Sequence, residues 1–155
     1  MKVIDKVLLD ETSRKARVSE RGRMNHNFHE RLDDPVNRLL NALEPGTFLP
    51  VHRHVDKDEA VLVLRGPIPS FVFDEAGAIV QHVVADPREG VYGFDIPAGT
   101  WHGLLVLASG TVVYEVKPGP YRALGAEDIA PWSPPADDPQ AVQAFLDRLA
   151  QECRS

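Results

Sequence analysis

Between residues 46 and 118 the chain is a succession of short apolar runs, each cut off by a turn signal before it is long enough for a helix. The runs are FLPVHRH, EAVLVLRG, PSFVFD, AIVQHVVAD, GVYGFDIP, WHGLLVLA and TVVYEVK; VDKD, GPIP, DEAG, DPREG, PAGT and SG separate them. Val, Ile, Phe and Tyr suit a pleated, half-buried surface, and Gly, Pro and Asp supply the turns. Short strands recurring roughly every 8–12 residues indicate a sandwich or barrel. No stretch between them can hold the helix of a βαβ crossover. The chain therefore reads as mainly β.

The flanks read differently. Up to about residue 45 the sequence is mixed and partly helical in pattern. Asp34-Pro35 followed by VNRLLNAL predicts a short helix over residues 35–43. Asp34 can cap the free N–H groups, Pro35 suits the first helical position, and Val36, Leu39, Leu40 and Leu43 form an apolar stripe. Pro45-Gly46 would end it. After the strands, APWSPPADDP resists regular structure, and AVQAFLDRLAQE predicts a closing helix with Ala141, Ala144, Phe145, Leu146 and Leu149 on its buried side. The organisation expected is one domain over residues 1–155: an N-terminal segment (1–45), a β core (46–118), and a Pro-rich connector with a C-terminal helix (119–155).

Four residues carry the chemistry. His52 and His54 are two apart on a predicted strand, so both point to one face. Glu59 follows after the turn VDKD and is expected to fold back towards them on a hairpin, and His102 opens a later strand after PAGT. Three imidazoles and a carboxylate form an N/O site suited to one divalent transition metal ion (zinc, iron, manganese, nickel or copper) rather than to calcium or magnesium. A chain of 155 residues does not need a metal to hold its core together, so a metal here is functional.

The segment from Gly46 to Gly66, GTFLPVHRHVDKDEAVLVLRG, resembles the first cupin motif position for position: Gly46, His52, His54, Glu59 and Gly66. IPAGTWH resembles the core of the second at Pro97, Gly99 and His102, although Val91 stands where the leading glycine is expected, with Gly90 beside it, and Val106 where the trailing Asn is expected. Over residues 21–135 the chain further resembles the WbuC family of cupin metalloproteins, through RGRMNHNFHE, DPVNRLLNALEPGTFLPVHRH, FDEAG, IPAGTWH and YEVKPGPY. The resemblance implies a cupin jelly-roll β-barrel with metal ligation at His52, His54, Glu59 and His102. It also implies a bacterial, intracellular protein linked to surface-polysaccharide (O-antigen) sugar metabolism.

Other residues are candidates for the same site. Asn27 and His29, in MNHNFHE, are expected to bind substrate at the barrel mouth or else to cap backbone in a loop. Arg38 can bind a carboxylate or phosphate, and His82 and Tyr92 would reach the metal if their faces turn inward. Tyr114 and Lys117 are the acid–base candidates; three apart on one strand, at most one of them faces in. Arg53, between the ligand histidines, points to the opposite face.

Composition bounds the function classes. Seventeen basic against 23 acidic residues, net charge −6, argue against nucleic-acid binding, which needs basic surface. The single cysteine, Cys153, excludes an intrachain disulfide and fits a reducing compartment. MKVIDKVLLDE is a poor signal peptide, and no apolar run approaches the ~20 residues of a membrane span, so a cytoplasmic location is expected. P-loop, Rossmann and GxSxG patterns are absent from the sequence. The expected function is a metal-dependent enzyme of isomerase, epimerase or dioxygenase type on a small sugar-like or carboxylated molecule. The alternative is a non-catalytic metal-dependent binding or sensor protein. Its cavity would hold only apolar groups and fixed donors, where an enzyme's would add an acid–base group beyond the ligands. Edge strands of such a fold can pair with a second copy, leaving a homodimer open.

Overall fold

The computed structural model describes residues 1–154. In chain order the elements are α1 (Lys6–Arg17), β1 (Arg23–Asn27), β2 (Val36–Leu43), β3 (Glu59–Arg65), β4 (Ile68–Phe73), β5 (Ile79–Ala85), β6 (Gly93–Ile96), β7 (Trp101–Leu104), β8 (Thr111–Pro118) and α2 (Pro139–Glu152). The strands form two antiparallel sheets, one of five strands in the order β1-β2-β8-β3-β6 and one of three in the order β5-β4-β7. They are two sheets rather than one closed ring of strands.

Residues 36–43 are not the helix their spacing predicts. They form β2, which pairs with β1 on one side and with β8 along its whole length on the other. The reason lies in burial on both faces: Leu39, Leu40, Asn41, Ala42 and Leu43 are all buried, so the run lacks the in–out alternation of a half-exposed strand. A continuous apolar run cannot be told from a helical stripe by periodicity alone. Asp34 does cap, but it faces backwards, accepting from the Glu30 and Arg31 N–H groups at 2.9 and 3.3 Å. The N-terminal helix is α1 instead. The side chain of Asp5 accepts the Leu8 N–H at its start, and Leu9, Thr12, Ser13 and Ala16 form the buried face.

Two layers flank the sheets. Under α1 a cluster of Leu9, Ala16, Phe28, Leu40, Ala42 and Val112 covers one face of the five-stranded sheet. α2 forms as expected, with Asp138 accepting from the Gln140 and Ala141 N–H groups and Pro139 in the first turn. Its Leu146 and Leu149 pack with Val51, Phe71, Phe73 and Trp101; Ala144, expected on the buried side, is exposed. Burying each such Leu or Phe side chain stabilises the fold by about 1.5–3 kcal/mol. Between the sheets, Leu43, Val61, Val63, Ile68 and Val113 form a third cluster. Val61 and Val113 of this cluster also line a cavity between the sheets.

The segment 48–54 is extended but is not a full strand. His52 alone forms bridges, to His102 on one side and Ile129 on the other. Glu59 thus opens β3 without a hairpin partner and pairs instead with Ile96 of β6.

Candidate metal centre

The inter-sheet space holds a cavity of about 250 Å³. Its walls follow from strand parity. Successive residues of a strand alternate faces, so Arg23 and Asn25 of β1, Asn41 of β2, Glu115 and Lys117 of β8, and Glu59 of β3 all line it from the five-stranded sheet. Ser70, His102 and Leu104 line it from the other sheet, and His52 from the extended segment.

At one end His52, His54, Glu59 and His102 converge, each offering one ligand atom, with all four atoms within 4.8 Å of one another. Three backbone hydrogen bonds hold the convergence. His52 and His102 exchange N–H···O bonds at 3.1 and 2.9 Å, and the Gly99 N–H donates to the His54 carbonyl at 2.7 Å. Gly99 makes this approach with φ +79°, a left-handed conformation that favours glycine. Gly46 and Gly66, which bound the first motif, also have positive φ (+86° and +80°). At Gly66 a Cβ would collide with Thr111 as well.

Backbone carbonyls orient two of the three imidazoles. His52 Nδ1 lies 2.9 Å from the Pro50 carbonyl and His102 Nδ1 2.9 Å from the Thr100 carbonyl. A carbonyl only accepts, so each Nδ1 carries the proton and each Nε2 presents a lone pair. Burial, reinforced by the neighbouring His102, pushes His52 down to about 3, so its ring is neutral, the form that binds metal. The buried Nε2 atoms of His54 and His102 have no hydrogen-bond partner. They lie 3.3 and 3.5 Å from Glu59 Oε2 with no hydrogen bond to it. Buried polar atoms are rarely left unpaired. Two orphaned nitrogens aimed at a carboxylate oxygen, beside a third imidazole, fit a tetrad built for a transition metal.

Glu59 is held from behind. Lys117 Nζ donates to its Oε1 at 2.6 Å and lies 3.5 Å from Glu115 Oε2, while Asn41 Nδ2 donates to Glu115 Oε1 at 2.9 Å. Burial alone would raise the Glu59 carboxyl, but His102, His54 and the Lys117 ammonium outweigh it and hold it well below the usual carboxylate range. Burial, with the Glu59 charge beside it, pushes the Glu115 carboxyl up. For Lys117 burial works against the charge, and the Glu115 and Glu59 carboxylates overcome it and push the ammonium up.

Of the other sequence candidates, Lys117 reaches the cavity. Tyr114, one residue from Glu115, faces the opposite side and packs edge-on against Phe28 with ring centroids 5.8 Å apart. Arg38 lies on that same outer side, in a shallow groove with Phe28 and Tyr114. His29 receives the Arg38 N–H on its Nδ1 at 3.1 Å, the backbone-capping role. Asn27 sits exposed at the end of β1, and Tyr92 is 64% exposed outside the cavity. His82 is exposed and stacks on Phe71 at 5.9 Å, in a separate groove. Arg53 points away as expected, 4.1 Å over the Trp101 ring. Of the cavity residues, sequence reasoning did not single out Asn41 or Glu115, read Arg23 as part of a solvated basic face, and weighed Asn25 within MNHNFHE while favouring Asn27 and His29. Spacing held the signal: Arg23 and Asn25, like Glu115 and Lys117, are two apart and share a face.

The family whose model matches, over residues 4–85, is described as a domain of unknown function (DUF6016), and the chain belongs to it. The match contains His52, His54 and Glu59; it does not single out the WbuC family. No curated protein matches the sequence. Solved structures do. TT1209 from Thermus thermophilus is 20% identical over 76% of this chain and 97% of that one, with a TM-score of 0.56. A cupin-2 domain protein from Rhodospirillum rubrum is 20% identical over 83% and 80%, at 0.50. CapF, a capsular polysaccharide assembling protein of Staphylococcus aureus, is 21% identical over 65% of this chain, at 0.51, but the chain spans only 26% of CapF. These likenesses establish the fold as a cupin jelly roll. Among the described residues no helix is long and apolar enough to cross a membrane.

Proposed function

We propose that the chain is a metal-dependent cupin enzyme that isomerises or epimerises a small sugar-like or carboxylated metabolite. One observation carries this reading. Beyond the four convergent ligands, the cavity contains two further groups able to exchange protons, Lys117 and Glu115, hydrogen-bonded into the wall beside them. A purely binding cavity would need only fixed donors and apolar surface.

His52, His54, Glu59 and His102 would hold one divalent transition metal. Bound there, it would supply a Lewis acid for a substrate carbonyl or alkoxide oxygen. The protein's own groups do the rest. The Nδ1–H bonds to Pro50 and Thr100 fix the ring orientations. Lys117 occupies Glu59 Oε1 and so directs Oε2 towards the histidines. Glu115 and Lys117 face the substrate volume: the Glu115 carboxylate can take a proton from carbon next to a carbonyl and return it, and the Lys117 ammonium can only donate. The WbuC resemblance supports a sugar-derived substrate, and a link to surface-polysaccharide assembly is part of this proposal.

The test is to incubate metal-loaded protein with a panel of hydroxy-carbonyl acids and sugars in D2O under an oxygen electrode. The reading expects deuterium at the carbon beside the carbonyl, with no oxygen consumed. Oxygen uptake without exchange would instead support dioxygenase chemistry, and absence of both would leave a binding protein.

A further inference from the structure

The far end of the cavity carries polar groups that the metal reading does not use. Arg23 Nη1 donates to the Phe48 carbonyl at 2.8 Å, and the rest of its guanidinium has no protein acceptor. Among the described residues neither Arg23 nor its neighbour Arg21 is in an ion pair, although both line the cavity. The partly buried Arg23 is pushed below its ordinary value by burial and then by the Arg21 charge. Arg21 is exposed to solvent, but the half-buried Arg23 guanidinium, with one protein acceptor and a like charge nearby, is better satisfied when an anion joins it. Across β1 and β2, Asn25 pairs in register with Asn41. Asn41 is 7% exposed, its Nδ2 is committed to Glu115, and its buried Oδ1 has no donor. An acceptor left without a partner in a cavity calls for a ligand hydroxyl or N–H. Cavity charge points the same way: Arg21, Arg23 and Lys117 outnumber Glu59 and Glu115, and a divalent metal would widen the excess. Such a field draws in anions.

We propose that Arg23, Arg21 and Asn41 form a second subsite, distal to the metal tetrad, for the anionic and hydroxyl-bearing end of the ligand. The ligand is thus a hydroxylated anion, with the fork of Arg23 on the carboxylate or phosphate and Asn41 Oδ1 accepting from a hydroxyl. Arg23 suits this because a guanidinium pairs two-pronged with either anion. The subsite rests on the proposed function for what happens at the other end, but its recognition can be measured separately.

The experiment is isothermal titration calorimetry of the full-length zinc-loaded protein with D-glycerate, glycerol 3-phosphate, propionate and uncharged glycerol. A charge-assisted contact predicts that one of the two hydroxylated anions binds at least about tenfold more tightly than glycerol. Which of them does so tells carboxylate from phosphate. Glycerate should exceed propionate, which has the charge without the hydroxyls. Arg23→Met should abolish the preference over glycerol with metal content unchanged, and Arg23→Lys should restore part of it. His102→Ala, which disables the tetrad, should retain the anion preference. Equal affinity for glycerol and both anions, or an Arg23→Met protein that keeps the preference, would overturn the subsite. A wild-type protein that takes up no zinc yet still prefers the anions would sink the metal reading and support the subsite. Because the comparison among the four ligands uses wild-type protein, it stands even where a variant fails to fold.

Discussion

The two faces of the five-stranded sheet are made by alternate residues of the same strands, yet they do opposite work. On β8, Val112 and Tyr114 turn outward towards α1 and Phe28, while Glu115 and Lys117 turn inward to the cavity. On β2, Leu40 and Ala42 join the cluster under α1, while Asn41 turns towards Glu115. Under α1 the outer face is apolar and covered, while away from it Arg38, Leu62 and Leu64 are exposed to solvent. The inner face buries Asn41, Glu59 and Glu115 and leaves Asn41 Oδ1 without a partner; the Nε2 atoms of His54 and His102, which meet Glu59 from the extended segment and from β7, also lack one. One unpartnered buried polar atom, Ser13 Oγ, lies under α1, whereas Asn41 Oδ1 and the His54 and His102 Nε2 atoms gather in and beside the cavity, where a bound group could satisfy them together.

Substitutions on the two faces should therefore separate stability from metal binding. The largest effect is expected at Leu40, which is fully buried under α1. Leu40→Ala should lower unfolding free energy by about 2–5 kcal/mol in chemical denaturation, with metal stoichiometry of the folded protein unchanged. Loss of metal in that variant would break the division of labour. Next comes Lys117→Met on the inner face. Freed from its 2.6 Å bond to Lys117, Glu59 is no longer held for the histidines, and competition with a chelator should show metal affinity about 10–100-fold weaker. Unchanged affinity would remove Lys117 from the account. On the outer side, Asp5→Ala deletes the cap of α1 and should cost about 1 kcal/mol in thermal unfolding without touching metal content. Tyr114→Phe should be nearly silent, within about 0.5 kcal/mol, and should leave metal affinity intact. A large loss of metal there would mean that the strand parity is wrong.

How much of this was legible in the sequence follows from the same parity. The convergence of His52, His54, Glu59 and His102 could be read directly, because a fixed framework of glycines sets their spacing, and Gly46, Gly66 and Gly99 do adopt the positive φ angles such turns require. The strand-rich core and α2 were equally plain. The outer strands of the N-terminal half were not. β2 is buried on both sides and so mimics a helical stripe, and the polar run of β1 reads as a loop until β2 is there to pair with it. That one misreading concealed Arg23 and Asn41, whose place on the cavity wall depends on β1 and β2 being strands. Tyr114 entered as an acid–base candidate because chemistry alone suggested it, while its neighbour Glu115 shares parity with Lys117.

The central claim is that the four converged side chains are a metal site, and elemental analysis of the untagged protein beside His52→Ala tests it most directly. The account predicts about one equivalent of a transition metal in the wild type, lost in the variant while its circular dichroism is preserved. A wild-type protein that holds no metal even after reconstitution, or a His52→Ala protein that holds as much as the wild type, would contradict it.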